Sequence, residues 1–195
     1  LQFPTKLKWY QYKNGPYNQA EFEKSILASK EKFQLYADFI CNLIVENFQL
    51  IYESGDKLAV YAHTINMCTK LQEYIEDRFA EYSVNRYVGE DDYESLISAD
   101  IVVTTPGSAG TGQDIKGLRR VIMTNAIKSS QKNFQVAGRL RELFELDSKG
   151  VVRDVVFLYL VCNDIPQQVD YHFFKRSKFR GKMKSQNEIE TGFYL

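Results

Sequence analysis

The sequence predicts an α/β fold, a parallel sheet with helices on both faces, preceded by an N-terminal helical extension. Three observations predict it. Short, nearly continuous apolar runs, such as 58–62 and the β-branched 101–104, read as strands buried on both sides. Between them, apolar residues recur at the three- and four-residue spacing of amphipathic helices. Loops rich in glycine, serine and threonine then follow strands, at the end of the sheet where such folds gather their functional groups.

Residues 1–17 mix lysines, aromatics, Pro4 and the turn signal Asn14-Gly15-Pro16, and predict a linker or docking segment. Asn18 with Glu21 three residues on has the form of a capping box. Beyond it Phe22, Ile26, Phe33, Tyr36, Ile40, Leu43, Ile44, Phe48 and Ile51 keep helical spacing, which predicts a long amphipathic helix or a helix pair over 18–56, stopping at Gly55. The α/β domain proper is expected over 57–162. Its strands are predicted at 58–62, 83–88, 101–104, 120–124 and 153–161, and its helices at 66–82, 92–97 and 130–144. Residues 163–195 then supply a last helix, 167–176, and a basic tail.

Composition narrows the function classes. The 25 basic and 25 acidic residues cancel, so any attraction for nucleic acid must come from local charge. Cys41, Cys68 and Cys162 are odd in number and lack C-x-x-C spacing, which argues against disulfides or a zinc site and for an intracellular, cytoplasmic setting; no metal site is expected. No apolar run reaches the roughly 18 residues of a membrane span, so no membrane partner is expected. Leu1 is not an initiator methionine, which suggests part of a longer protein.

Two segments carry the chemistry. Thr104-Thr105-Pro-Gly107-Ser108-Ala-Gly110-Thr111-Gly112-Gln-Asp114 follows a strand: its glycines allow close backbone approach, and its hydroxyls and amides suit a phosphodiester oxygen. The competing reading is a Gly-rich connection with Asp114 capping a turn. Gln135-Val-Ala-Gly138-Arg139-Leu-Arg141-Glu142 places a glutamine, a glycine and two arginines at the start of an apolar-periodic helix. Arginine is planar, multidentate and permanently charged, which suits charge developing on a transferring phosphoryl group. The competing reading is a solvated helix face paired with Glu142 and Glu145.

Together the two segments resemble motifs V and VI of superfamily 2 helicases. The run Lys57 to Asn66, ending a strand in His63-Thr64, resembles motif IV, and Tyr87-Val-Gly89-Glu resembles the strand-end glycine that often follows it. The resemblance implies the C-terminal RecA-like motor domain, with catalytic roles for Arg139, Gln135 and Arg141. It implies nucleotide contacts from Gly112, Asp114 and Gly138, and nucleic-acid contacts from Thr64, Thr104, Thr105 and Ser108. The family's Gln-x-x-Gly-Arg-x-x-Arg is not fully kept: Glu142 holds the last position and Arg141 lies one residue early. The wording of both motifs is closer to phage or large-virus DNA helicases than to DEAD-box RNA helicases, which favours DNA as partner.

A Gly-x-x-x-x-Gly-Lys-Ser/Thr phosphate loop and an acidic Mg²⁺ motif do not occur. The resemblance accounts for this by placing ATP and Mg²⁺ mainly on an N-terminal RecA-like domain of the same polypeptide, so that this chain alone is expected to be inactive. His63 and His172 lack a second histidine or cysteine at metal or nucleophile spacing and read as structural or phosphate-contacting and as packing, respectively. The run Lys175, Arg176, Lys178, Arg180, Lys182 and Lys184, with Phe173, Phe174 and Phe179 interleaved, fits an accessory nucleic-acid contact or a plain solvated surface. Two other functions stay open: a restriction or remodelling translocase without strand separation, and a non-catalytic α/β interaction module.

Overall fold

The computed structural model describes residues 2–3, 17–109, 115–140 and 154–195. In chain order the elements are β1 (Gln2–Phe3), α1 (Gln19–Leu27), α2 (Lys30–Asn47), a 3₁₀ turn (Gln49–Ile51), β2 (Lys57–Tyr61), α3 (Ile65–Arg78), β3 (Val84–Tyr87), α4 (Tyr93–Ser98), β4 (Ile101–Thr104), β5 (Leu118–Met123), α5 (Ser130–Ala137), β6 (Val156–Tyr159), β7 (Val161–Cys162) and α6 (Pro166–Phe179).

Five strands form an all-parallel sheet in the order β3-β4-β2-β5-β6. Register brings Tyr87, Thr104, Tyr61, Met123 and Tyr159 side by side, so the carboxyl ends of all five strands make one rim. Alternation along the strands divides the core in two. Leu58, Val60, Ile101, Val103 and Ile122 face α1, α2 and α3; Ala59, Tyr61, Val102, Val121 and Met123 face the side of Leu96 on α4 and Val136 on α5.

The N-terminal extension is a helix pair because Ser29 interrupts it: extended at φ −126°, ψ 121°, it accepts from the Lys32 N–H at 3.3 Å and caps α2. Asn18 caps α1, accepting from the N–H groups of Ala20 and Glu21 at 3.0 and 3.3 Å. Phe22 and Ile26 of α1 and Tyr36, Ile40 and Ile44 of α2 are buried in the first core. Burial of each large apolar side chain is worth about 1.5–3 kcal/mol, so α1 belongs to the domain's core.

At the opposite end of the sheet two loops touch. Gly117, at φ +86°, lies so close to Gly55 that a Cβ there would sit 2.1 Å from the Gly55 carbonyl oxygen, and its own carbonyl accepts from the Lys57 N–H at 2.8 Å. Beside it Arg119 and Asp56, both buried, form an ion pair at 3.5 Å.

Two elements are shorter than the sequence predicts. The helix expected over 130–144 ends at Ala137, where Gly138 caps it and the Arg139 and Leu140 N–H groups turn back to Val136 and Ala137; residues 141–144 lie outside the described residues. The described part of the Gln135–Glu142 segment, Gln135 to Leu140, thus closes a helix. The strand expected over 153–161 is divided: β6 ends at Tyr159, and β7 leaves the sheet to pair with β1. The C-terminal tail continues that exchange, with Thr191 donating to the Gln2 carbonyl and the Phe193 ring stacked 4.3 Å from Phe39.

Candidate functional site

Of the predicted site residues that the structure describes, Thr64, Thr104, Thr105 and Ser108 lie at or just past the carboxyl ends of β2 and β4, and Gln135, Gly138 and Arg139 lie at the end of α5. At the end of β4 the chain turns through Thr105-Pro106-Gly107-Ser108. The Ser108 N–H donates to Thr105 Oγ1 at 3.1 Å, the two hydroxyls are 2.9 Å apart, and the Gly89 N–H at the end of β3 donates to Ser108 Oγ at 3.2 Å. Gly89, at φ +59°, is placed by Asp91, which accepts from Val88 N–H and from Arg86 Nε and a terminal Arg86 nitrogen at 2.8–3.0 Å. The Arg86 hydrogen bonds hold the Asp91 carboxyl below its ordinary pKa, so the ion pair is set. Ser108 is half-buried and Gly107 exposed, which presents a small polar turn to solvent. Thr104 is different: it is wholly buried and its hydroxyl donates to the Tyr87 carbonyl at 2.5 Å, so it joins two strand ends and presents nothing at the surface.

On the far side of β2, α5 brings Gln135 to an exposed position in its last turn. Gly138 follows, and a Cβ there would stand 2.9 Å from the Phe134 carbonyl oxygen, a close approach that glycine accommodates. Arg139 is 7% exposed and lies near Tyr61, whose wholly buried hydroxyl is pushed up to about 12 by burial, with the Arg139 charge acting against that rise. The arginine is therefore a buried cation whose charge is felt at the Tyr61 hydroxyl. Gly112, Asp114 and Arg141 fall outside the described residues.

At the end of β2 the sequence reading missed the main occupant. Glu23 of α1 is 0% exposed, and its carboxylate accepts from the His63 N–H at 2.7 Å, the Thr64 N–H at 2.8 Å and the Thr64 hydroxyl at 2.7 Å. Thr64 Oγ1 also accepts from the Met67 N–H at 3.2 Å as N-cap of α3. Burial pushes the Glu23 carboxyl above its ordinary pKa, while the Thr64 hydroxyl and the two N–H groups pull it back. One turn earlier Gln19 Oε1 accepts from the Ala126 N–H at 3.0 Å, just past β5. Gln19, Phe22, Glu23 and Ile26 make the buried stripe of α1, so the available signal was two polar residues at buried helical spacing.

Away from the rim, His172 bridges Tyr159 and Glu188: Nδ1 is 2.8 Å from Tyr159 Oη and Nε2 is 3.1 Å from Glu188 Oε1, which also receives Arg176. The basic run does not form one solvated face. Lys175 is buried over the Tyr159 ring, Arg176 is bound to Glu188, Lys184 pairs with Asp154 at 2.9 Å, and Lys182 covers the Phe134 ring at 4.1 Å. Lys178 and Arg180 stand exposed. Cys41, Cys68 and Cys162 are buried thiols. Among the described residues no group of three or more His, Cys, Asp or Glu is placed to hold a metal ion, and no helix is long and apolar enough to cross a membrane.

No protein-family model matches the chain, and no curated protein matches it in sequence. Its fold is similar to that of the C-terminal part of the Fun30 ATPase domain, with a TM-score of 0.53 at 12% identity, over 92% of this chain and 61% of that one. It is also similar to the Pyrococcus furiosus Hef helicase domain (TM-score 0.49, 15% identity, 79% of this chain and 32% of that one). A third similar structure is domain 2 of the DEAD-box helicase Mss116p, determined bound to an RNA duplex (TM-score 0.49, 17% identity, 75% and 54%). The chain thus spans less than two thirds of each of these structures. The Fun30 likeness shows the fold, a parallel α/β domain with helices ahead of its first sheet strand.

Proposed function

We propose that the chain is the second RecA-like motor domain of an ATP-dependent superfamily 2 helicase, acting on DNA in preference to RNA. The observation that supports the reading is a pair of segments on the two strands that flank β2: the Thr105–Ser108 turn follows β4, and the Gln135–Arg139 end of α5 lies on the connection that follows β5. The first offers hydroxyls and backbone to a phosphodiester, and the second offers a guanidinium and an amide to a phosphoryl group.

In this reading ATP with Mg²⁺ is held mainly by a first RecA-like domain of the same polypeptide, and its γ-phosphoryl transfer to water supplies the energy. The residues here fit the phosphoryl side of such a cleft, since they offer cationic and amide donors and no carboxylate cluster among the described residues. Arg139 faces the charge that grows on the transferring group, and Gln135 orients the water or a γ-oxygen by hydrogen bonding. Gly138 keeps the approach to the partner domain narrow. Gly112 and Asp114 serve the nucleotide ribose, and Arg141 is a second cation. Thr105 and Ser108 hold the tracked strand, while Thr104 keeps their turn in place from within the sheet. Closure of the two domains around nucleotide then shifts the grip of the β4 turn along the strand.

The test is ATP turnover by the full-length parent protein, titrated with an oligodeoxynucleotide and with an oligoribonucleotide of the same sequence. The reading expects stimulation, greater with DNA. Stimulation by RNA alone would transfer the domain to RNA, and stimulation by neither would leave a non-catalytic interaction module as the better account.

A further inference from the structure

The connection leaving β2 runs to β3 on one side of the sheet and the connection leaving β5 runs to β6 on the other, although β2 and β5 are neighbours. Such a switch point is where open α/β sheets leave a crevice for ligands at the carboxyl ends of their strands. Here α1 fills it. Gln19 and Glu23, four residues apart on the buried stripe, take the N–H groups just past β5 and β2: Gln19 accepts from Ala126, and Glu23 from His63 and Thr64. The Thr64 hydroxyl completes the set around Glu23. These three donors at the N-terminus of α3 are what a phosphate oxygen would use, and an anion already sits on them.

We propose that Glu23 is a resident anion that takes the place of a phosphodiester at the end of β2 and so excludes a nucleic-acid backbone from Thr64, leaving the Thr105–Ser108 turn as this domain's backbone contact. The inference rests on the nucleic-acid reading given above, and it replaces the role that the sequence suggested for Thr64. Two features make the exclusion durable. Phe22 and Ile26 on either side of Glu23 are buried in the core, so α1 is not a detachable lid. A phosphate brought to the same donors would meet a carboxylate of like charge in a water-poor seat, where repulsion is poorly screened.

Removing the carboxylate therefore opens a phosphate seat. The probe is a fluorescein-labelled 12-nucleotide oligothymidylate, with binding to the chain followed by anisotropy across a salt series. Glu23→Gln is compared with Glu21→Gln, which removes the same charge from an exposed position on the same helix. Glu23→Gln is expected to bind severalfold more tightly than Glu21→Gln at every salt concentration, because the added phosphate contact is made by neutral N–H and hydroxyl donors. Adding Thr64→Val to Glu23→Gln should abolish that gain. Equal affinities for the two glutamine variants, or a gain that survives Thr64→Val, would overturn the proposal.

Should Glu23→Gln fail to fold, amide chemical shifts of the wild-type chain decide. Oligothymidylate should move the Ser108 amide and leave those of His63 and Thr64 in place; movement of the latter pair would overturn the exclusion while leaving the nucleic-acid reading intact. Absence of binding by every folded variant would instead remove the nucleic-acid reading and the exclusion with it.

Discussion

Lys175 lies in the buried stripe of α6 with Gln168, His172 and Phe179, is 4% exposed, and has its Nζ 4.1 Å from the centroid of the Tyr159 ring. Burial pushes its pKa from 10.5 down to about 7. That drop corresponds to about 5 kcal/mol of lost preference for the ammonium, against which a cation–π contact returns about 1–2 kcal/mol. Lys175→Met keeps the length of the side chain and removes the charge, so it should stabilise the fold by about 2–4 kcal/mol at neutral pH.

The sign of the pH dependence follows. Above about pH 7 the unfolded chain keeps the Lys175 proton that the folded chain gives up, so wild-type stability rises with pH at up to about 1.4 kcal/mol per pH unit until the unfolded lysine also titrates. Below that range both states hold the proton and the cost stays constant. Cys41 and Cys68, each pushed up to about 12 by burial, oppose the rise only as unfolded thiols ionise near their ordinary 9.0. His172 is lowered from 6.5 by burial and acts at lower pH. The window from about pH 7 to 8.5 therefore isolates Lys175, which should add about 2 kcal/mol across it. Urea unfolding of wild type and Lys175→Met at both ends of the window measures this: the two should converge as pH rises. A variant less stable than wild type at pH 7, or parallel pH slopes, would refute the reasoning.

Gly117→Ala should destabilise the fold by about 2 kcal/mol or more in urea, because a Cβ at positive φ is strained and meets the Gly55 carbonyl at 2.1 Å; a loss under about 0.5 kcal/mol would mean that the two loops separate easily. Thr105→Val combined with Ser108→Ala removes both hydroxyls of the β4 turn and should weaken oligothymidylate binding about tenfold, with a loss of about 1–3 kcal/mol in urea for the turn's hydrogen bonds; undiminished affinity in the folded variant would place the strand elsewhere.

Strands were the most legible part of the sequence. β4 falls where its β-branched run predicts, and β2, β3 and β5 lie within two residues of expectation, because buried parallel strands are short apolar runs with few alternatives. Periodicity was less reliable at helix ends. The apolar spacing past Gly138 suggested a continuing helix, whereas the described chain tightens there into i to i−3 turns at Arg139 and Leu140. What sequence could not assign was the work of polar residues in buried stripes. Gln19 and Glu23 on α1, and Gln168, His172 and Lys175 on α6, stand where apolar residues are expected, and each finds a partner outside its own helix. Spacing predicts that such a position is buried; only the fold says what it meets. The site residues were chosen for their chemistry, and the structure sorts those it describes: Ser108 and Gln135 at accessible positions, Thr105 buried with its hydroxyl bound to Ser108, Thr104 consumed within the sheet, and Thr64 bound to Glu23.

Arg139 carries the central claim, and the most direct measurement of it is nucleic-acid-stimulated ATP turnover by the full-length parent protein, wild type against Arg139→Ala, with ATP affinity and folding checked in parallel. The account predicts a fall in kcat of about two or more orders of magnitude with ATP still bound, as expected when an arginine acts on the transition state more than on the ground state. Turnover close to wild type in a folded, ATP-binding variant would contradict it and leave Arg139 as a buried structural residue.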